Sequence, residues 1–200
     1  MRLLHTADWH LGRLFHNLSL LEDQRHVLQQ LLEIIDREQV DAVLVAGDIY
    51  DRSVPPAAAV TLLDEVLGEL CEKRGLPVVM ISGNHDGAER LGFGARHLRS
   101  AFGVDVRDFD SAHRYLLERI EAQRQPGRPT LLMSHCFVDG GTASDSERPL
   151  TLGGAESVAW EPMQGFDYVA LGHLHGPQIR GGEHIRYSGS PLKDSFSEAT

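Results

Sequence analysis

Five short apolar runs in this chain end in the same kind of chemistry, and that repetition limits the fold more than any other feature. Leu3-Leu4 leads through Thr6-Ala7 to Asp8-Trp9-His10, and residues 41–46 lead to Gly47-Asp48-Ile49-Tyr50-Asp51. Val78-Val79-Met80-Ile81 leads to Gly83-Asn84-His85-Asp86, residues 130–134 to His135, and residues 168–171 to Gly172-His173-Leu174-His175. Short apolar runs closed by Gly and polar turn residues read as buried strands. Amphipathic segments separate them, so the fold class is α/β, with strands interleaved with helices. Strand carboxyl ends collect on one rim of a sheet, where such folds bind ligands. Residues as far apart as Asp8 and His175 are therefore expected to meet at one site.

The intervening segments carry helix signals. Ser19-Leu20-Leu21-Glu22 has capping-box spacing. Val27, Leu28, Leu31, Leu32, Ile34 and Ile35 then recur at helical intervals and predict a helix over about 20–38. Pro55-Pro56 suits the start of a second helix, whose apolar face is read as Val60, Leu63, Val66, Leu67 and Leu70. Further helices are expected within 88–100 and over 111–123, the latter with Tyr115, Leu116 and Ile120 inward. Residues 123–129 read as a connection and 185–187 as a short strand. Residues 138–157, rich in Gly, Ser, Thr and charge, read as a long surface loop.

Composition excludes several classes. Two hundred residues with 42% hydrophobic and 24% charged content describe one ordinary domain or at most two small ones, not a disordered chain. No apolar run approaches the roughly 20 residues that span a bilayer, so no membrane association is expected. The first eight residues meet a charge too early for a signal peptide. Two cysteines, Cys71 and Cys136, make no disulfide framework and suit a reduced cytoplasm, the expected location. A net charge of −10 opposes capture of nucleic acid by a generally basic surface. Carboxylates gathered round metal ions, however, cease to repel phosphate.

Taken singly, Asp-x-His or Gly-Asp after a strand is ordinary turn chemistry. Asn-His-Asp at the mouth of an apolar strand is poorly explained by packing. Gly-His-x-His puts two imidazoles on one strand face. All five together, each at a strand end, form a metal-binding set of carboxylates, an amide oxygen and imidazoles with no thiolate. Such donors suit Mn²⁺ or Fe²⁺, with Zn²⁺ accessible. They are too many for one ion, and a shared carboxylate between two ions about 3.5–4 Å apart is a standard arrangement for phosphoester hydrolysis.

In order, Asp8-x-His10, Gly47-Asp48-x-x-Asp51, Gly83-Asn84-His85-Asp86, His135 and Gly172-His173-x-His175 resemble the motifs of the calcineurin-like metallophosphoesterases. Three further strings, at 5–13, 144–150 and 187–192, resemble its bacterial DNA-repair and recombination nuclease subunits. That resemblance implies a four-layer α-β-β-α sandwich, two mixed sheets with helices outside. It implies Mn²⁺-dependent hydrolysis of DNA phosphodiesters, exonucleolytic at double-stranded ends and endonucleolytic on single strands or hairpins. The implied partners are DNA, an SMC-like ATPase and a second copy of the chain, in the cytoplasm at the nucleoid.

The resemblance also implies roles. Asp8, His10, Asp48 and His175 would hold one metal; Asp48, Asn84, His135 and His173 would hold the other, with Asp48 bridging. His85 matches the catalytic histidine that serves the leaving oxygen, Asp86 the position that orients it, and Asp51 a position near the scissile phosphate. Arg13, His16, Arg52, Arg90 and Arg148 lie in or beside the motif loops as candidate phosphate contacts. His5, His26, His97 and His113 are read as packing or surface residues, Trp9 as packing and Cys136 as a small buried residue.

Two departures stand out against such relatives. Only 49 residues separate His85 from His135, with an abrupt join near 103–108, and the chain stops at Thr200. Residues 1–200 are thus expected to be a catalytic core without the capping and ATPase-binding regions. Two other readings compete: a small-molecule phosphodiesterase or phosphatase on the same site, and a non-catalytic scaffold for the ATPase.

Overall fold

The computed structural model describes residues 1–86, 109–144 and 157–193. Strand β1 (Leu3–Thr6) is followed by a small hairpin of β2 (Leu14–Phe15) and β3 (Leu18–Ser19), then by helix α1 (Leu21–Glu38). Next come β4 (Ala42–Ala46), helix α2 (Ala57–Leu67) with a π-helical extension over Gly68–Lys73, and β5 (Val78–Ile81). Helix α3 (Phe109–Glu121) leads to β6 (Leu131–His135). A 3₁₀ turn at Glu161–Met163 precedes β7 (Tyr168–Gly172), β8 (Gln178–Arg180) and β9 (Gly182–Tyr187).

Besides the β2-β3 hairpin, the described residues form two larger sheets, in the orders β1-β4-β5 and β6-β7-β9-β8. In the first, Leu3 through Thr6 pair with Ala42 through Val45, and Val43 through Ala46 with Val78 through Ile81. That parallel register sets the three carboxyl ends side by side. In the second sheet His135 lies opposite Gly172, which aligns two more ends. Both sheets were expected to be mixed. Among the described residues the first is parallel throughout, because its strands are joined by crossovers through α1 and α2. The second is mixed, β8 pairing antiparallel to β9.

Each sheet has its own core. Val43 and Val45 pack with Leu28, Leu32 and Ile35 of α1 and Leu62, Val66 and Leu70 of α2 and its extension. Leu132, Val169, Leu171 and Ile185 pack with Leu117 of α3. Strand β4 meets β6 and β7 across the sheets, and its alternate residues Leu44 and Ala46 are buried. His5 also bridges the two sheets. Its Nε2–H donates to the Leu171 carbonyl at 3.1 Å, which leaves Nδ1 to accept from the Tyr168 hydroxyl at 3.1 Å. Burial lowers its pKa to about 4, so the ring is neutral.

Three local expectations are revised. Ser19 closes β3 and Leu20 is the residue that caps α1, so the capping box does not form; the Ser19 hydroxyl only accepts the Leu21 N–H at 3.4 Å. In α2, Ala59 is buried and Val60 is 45% exposed, because the helix starts from extended Pro56 and this sets its rotation. In α3 the inward residue is Leu117, while Leu116 and Ile120 face solvent. The hairpin and β8 were not foreseen, since strands of two or three residues leave no periodicity to read. The helix expected within 88–100, with Arg90 and His97, the join near 103–108, and residues 145–150 of the 144–150 string lie outside the described residues.

Candidate metal centre

Beyond the strand ends the turns stay in register. Asp8 N–H donates to the Gly47 carbonyl, His10 N–H to that of Asp48 and Leu11 N–H to that of Ile49, at 2.9–3.0 Å. The backbone must twist sharply here to aim side chains along the rim. Asp8, His10, Asp48 and His173 all have positive φ, at 54°, 46°, 48° and 103°. For residues with a Cβ each such turn costs about 1 kcal/mol or more, so surrounding contacts must enforce it. Gly172 is required for a different reason: a Cβ there would stand 1.9 Å from the Ala46 carbonyl oxygen and 2.8 Å from His135 Nδ1.

The turns bring all seven expected ligands together. His10 Nε2 lies 3.0 Å from His175 Nε2, and both rings are buried. The Asp8 carboxylate accepts the His173 N–H at 3.0 and 3.2 Å. Asn84 Oδ1 faces His135 Nε2 at 2.9 Å and His173 Nδ1 at 3.3 Å. Asp48 lies between the groups, its Oδ2 3.3 Å from His135 Nε2 and 3.9 Å from the Nε2 atoms of His10 and His85. Donor atoms of Asp8, His10 and His175 fall within 4.8 Å of one another, as do those of Asp8, Asp48 and His135.

The electrostatics follow from this crowding. Burial pushes the Asp48 carboxyl up, yet its hydrogen bond to His135 and the facing imidazoles hold it well below the usual carboxylate range. Burial also works against charge on His135. The hydrogen bond and charge of Asp48, with the charge of Asp8, override it and push the ring up to about 9. His135 Nδ1–H donates to the Ala46 carbonyl at 2.9 Å, which turns Nε2 toward Asp48 and Asn84. His173 is lowered to about 3 by burial and the neighbouring His135 cation, and burial lowers His10 well below its ordinary value.

His85 is 4% exposed. Its backbone N–H donates to Asp48 Oδ1 at 2.8 Å, and its ring Nδ1–H donates to the Asp51 carbonyl at 2.9 Å. A carbonyl only accepts, so Nδ1 carries a proton and Nε2 faces the site. Asp86 was expected to orient this ring. Instead its carboxylate accepts three backbone N–H groups, from Ile49 at 3.0 Å, Tyr50 at 2.8 Å and Gly83 at 2.9 Å. It clamps the β4 and β5 turns together, and the Asp51 backbone orients the ring.

The Asp51 side chain pairs with Arg13 at 3.2 Å, so Arg13 is committed to a protein carboxylate. His16 lies on the exposed turn of the β2–β3 hairpin, against Phe15, and Arg52 is exposed beside Asp51. Arg148 lies outside the described residues. One support was missed: buried Gln24 of α1 donates to the carbonyls of Trp9 and His10 and accepts the Gly12 N–H. Its signal was a polar residue on the apolar stripe, four before Leu28. Cys136 is buried and Trp9 packs with its indole N–H donating to Thr6 Oγ1, as expected.

The donor set fits divalent ions. Carboxylate, amide and imidazole atoms face one another at distances that a shared proton or cation makes favourable, and the buried Asp48 carboxylate reaches both groups.

Among families of known proteins, the one described as calcineurin-like phosphoesterase matches residues 1–177. The chain is also similar to the SbcD component of the SbcCD nuclease of Staphylococcus epidermidis (strain ATCC 12228 / FDA PCI 1200), at 37% identity over 235 aligned positions. The alignment takes in 99% of this chain and 63% of that protein, so the chain spans less than two-thirds of its relative's length. It also exceeds the 200 residues present, which places gaps opposite this chain.

Proposed function

This chain belongs to the calcineurin-like phosphoesterase family, and on that footing we propose that it hydrolyses DNA phosphodiesters as the core of an SbcD-type nuclease. The observation that carries the reading is the meeting of seven ligand-type side chains from five strand ends around one shared carboxylate, Asp48. Asp8, His10, Asp48 and His175 hold one divalent ion and Asp48, Asn84, His135 and His173 the other, Mn²⁺ best suiting the donors. Bound there, the ions supply water activation and neutralise charge at phosphorus.

The chain's own residues do the rest. His85, its Nδ1–H fixed on the Asp51 carbonyl, aims Nε2 toward the site; in its doubly protonated form it gives the Nε2 proton to the departing sugar oxygen and is left as the neutral ring. Asp86 keeps that turn in place by clamping three amides. Arg13 holds the Asp51 side chain beside His10 and His85, and Arg52 and His16 offer exposed contacts for phosphate. Exonuclease action at double-stranded ends, endonuclease action on single strands, an SMC-like ATPase partner of the SbcC type, a homodimer and a place in DNA repair and recombination in the cytoplasm belong to the same reading. So does a four-layer order, favoured by one core on the helical side of each sheet.

The test is cleavage of end-labelled linear double-stranded DNA with Mn²⁺ by the chain and by His85→Ala at equal metal occupancy, with bis-p-nitrophenyl phosphate alongside. Metal-dependent cutting that His85→Ala loses by about 10²-fold or more is expected. Hydrolysis of the small diester without DNA cleavage would instead assign a small-molecule phosphodiesterase, a reading the −10 net charge favours.

A further inference from the structure

Residues 187–190 contain no expected ligand, yet they touch three ligand-bearing turns. The Tyr187 hydroxyl is buried, donates to the Cys136 carbonyl at 2.7 Å and accepts the Val138 N–H at 2.9 Å. It thereby fixes the chain directly after His135. Two residues on, Gly189 (φ 75°) passes so close to the next turn that a Cβ would stand 2.7 Å from the His175 carbonyl oxygen. Ser190 follows, and its N–H donates to that same carbonyl at 3.0 Å. Its hydroxyl lies 2.9 Å from the Asp8 carbonyl and 2.6 Å from that of Leu192, so one proton is shared between two acceptors.

We propose that residues 187–190 are a clasp that positions the two ion sites separately: Ser190 sets Asp8 and His175, and Tyr187 sets His135. The inference rests on the two-ion reading above. Asp8 sits in a left-handed conformation that surroundings must enforce, and its carbonyl is the group Ser190 holds. Neither residue touches an ion or substrate; both act through the ligands, as groups behind metal ligands commonly do. A hydroxyl on each side of one glycine is thus the physical reason for the Tyr-Ser-Gly-Ser string, which no role in the proposed reaction explains.

The experiment titrates Mn²⁺ into the metal-free 200-residue chain, reading free ion by its electron paramagnetic resonance signal, with apo melting temperature recorded for every variant. Ser190→Ala, Ser190→Thr and Tyr187→Phe are each made alone and with His135→Ala or His175→Ala. With His135 removed, Ser190→Ala is expected to weaken the remaining ion about tenfold and Tyr187→Phe to leave it unchanged. With His175 removed, the two swap. Ser190→Thr, which keeps the hydroxyl, restores affinity. Equal effects of both variants on both ions, no effect on either, or an affinity loss that simply follows apo melting temperature would each overturn the clasp. A wild-type chain binding fewer than two ions overturns the two-ion reading and the clasp with it. Two bound ions without DNA cleavage leave the clasp intact and sink only the choice of substrate.

Discussion

Asp86 shows how much of the proposed centre depends on groups that hold its turns together. Its two oxygens accept three backbone N–H bonds from two turns that the sheet alone leaves unjoined. Charge-assisted bonds to a buried carboxylate are the strong ones, and their loss leaves buried amides unsatisfied. Asp86→Ala should therefore lower unfolding free energy by about 3 kcal/mol, measured by urea denaturation, and weaken Mn²⁺ binding through Asp48 and Asn84. A loss below about 1 kcal/mol would remove its role as a clamp. The sequence marked Asp86 as part of the site but not its task, because the family resemblance assigned it the orienting of the His85 ring. The actual partners are Gly83 in the same turn and Ile49 and Tyr50, which the parallel register of β4 and β5 brings near.

At the level of single elements, α3 separates what periodicity can and cannot tell. The pattern made a helix there legible, but it held two candidate stripes. Leu116 and Ile120 lie one position off the inward stripe; Leu117 is buried against β6, β7 and the 3₁₀ turn. Leu117→Ala should cost about 3 kcal/mol in chemical unfolding, while Leu116→Ala and Ile120→Ala should each cost under about 1 kcal/mol. The reverse ranking would show that the helix is rotated. In α1 the stripe was legible because Leu28, Leu31, Leu32 and Ile35 fall on one face, and Gln24 was the informative exception. Strands β1, β4, β5, β6 and β7 were readable for a simpler reason: each holds an apolar run, as short as Leu3-Leu4 in β1, that leads into polar turn residues, whereas β2, β3 and β8 are too short for any pattern.

For the whole molecule, the meeting of the two sheets is the element no single segment foretells. His5 sits between them as a neutral, doubly hydrogen-bonded ring, although in the sequence it is one polar residue within a strand. Its folded-state value of about 4 lies below the ordinary 6.5, so the stability it provides is complete above about pH 6.5 and declines as pH falls toward 4. His5→Gln keeps a donor and an acceptor but cannot titrate. The variant should lose about 2 kcal/mol less than wild type between about pH 7.5 and about pH 5, read from melting curves of metal-free protein. Equal slopes would place His5 outside this linkage.

The same two-sheet construction bears on how the protein is made. Asp8, His10, Asp48 and Asn84 belong to the first sheet's half of the chain, whereas His135, His173 and His175 belong to the second. A ribosome releases the first sheet and its core well before the second exists. Folding of that early half completes no ion site. On the proposed reading no phosphodiester is cut until both halves have docked, so a nascent chain that has emerged only as far as the first sheet is inert beside the message and ribosomal nucleic acid around it.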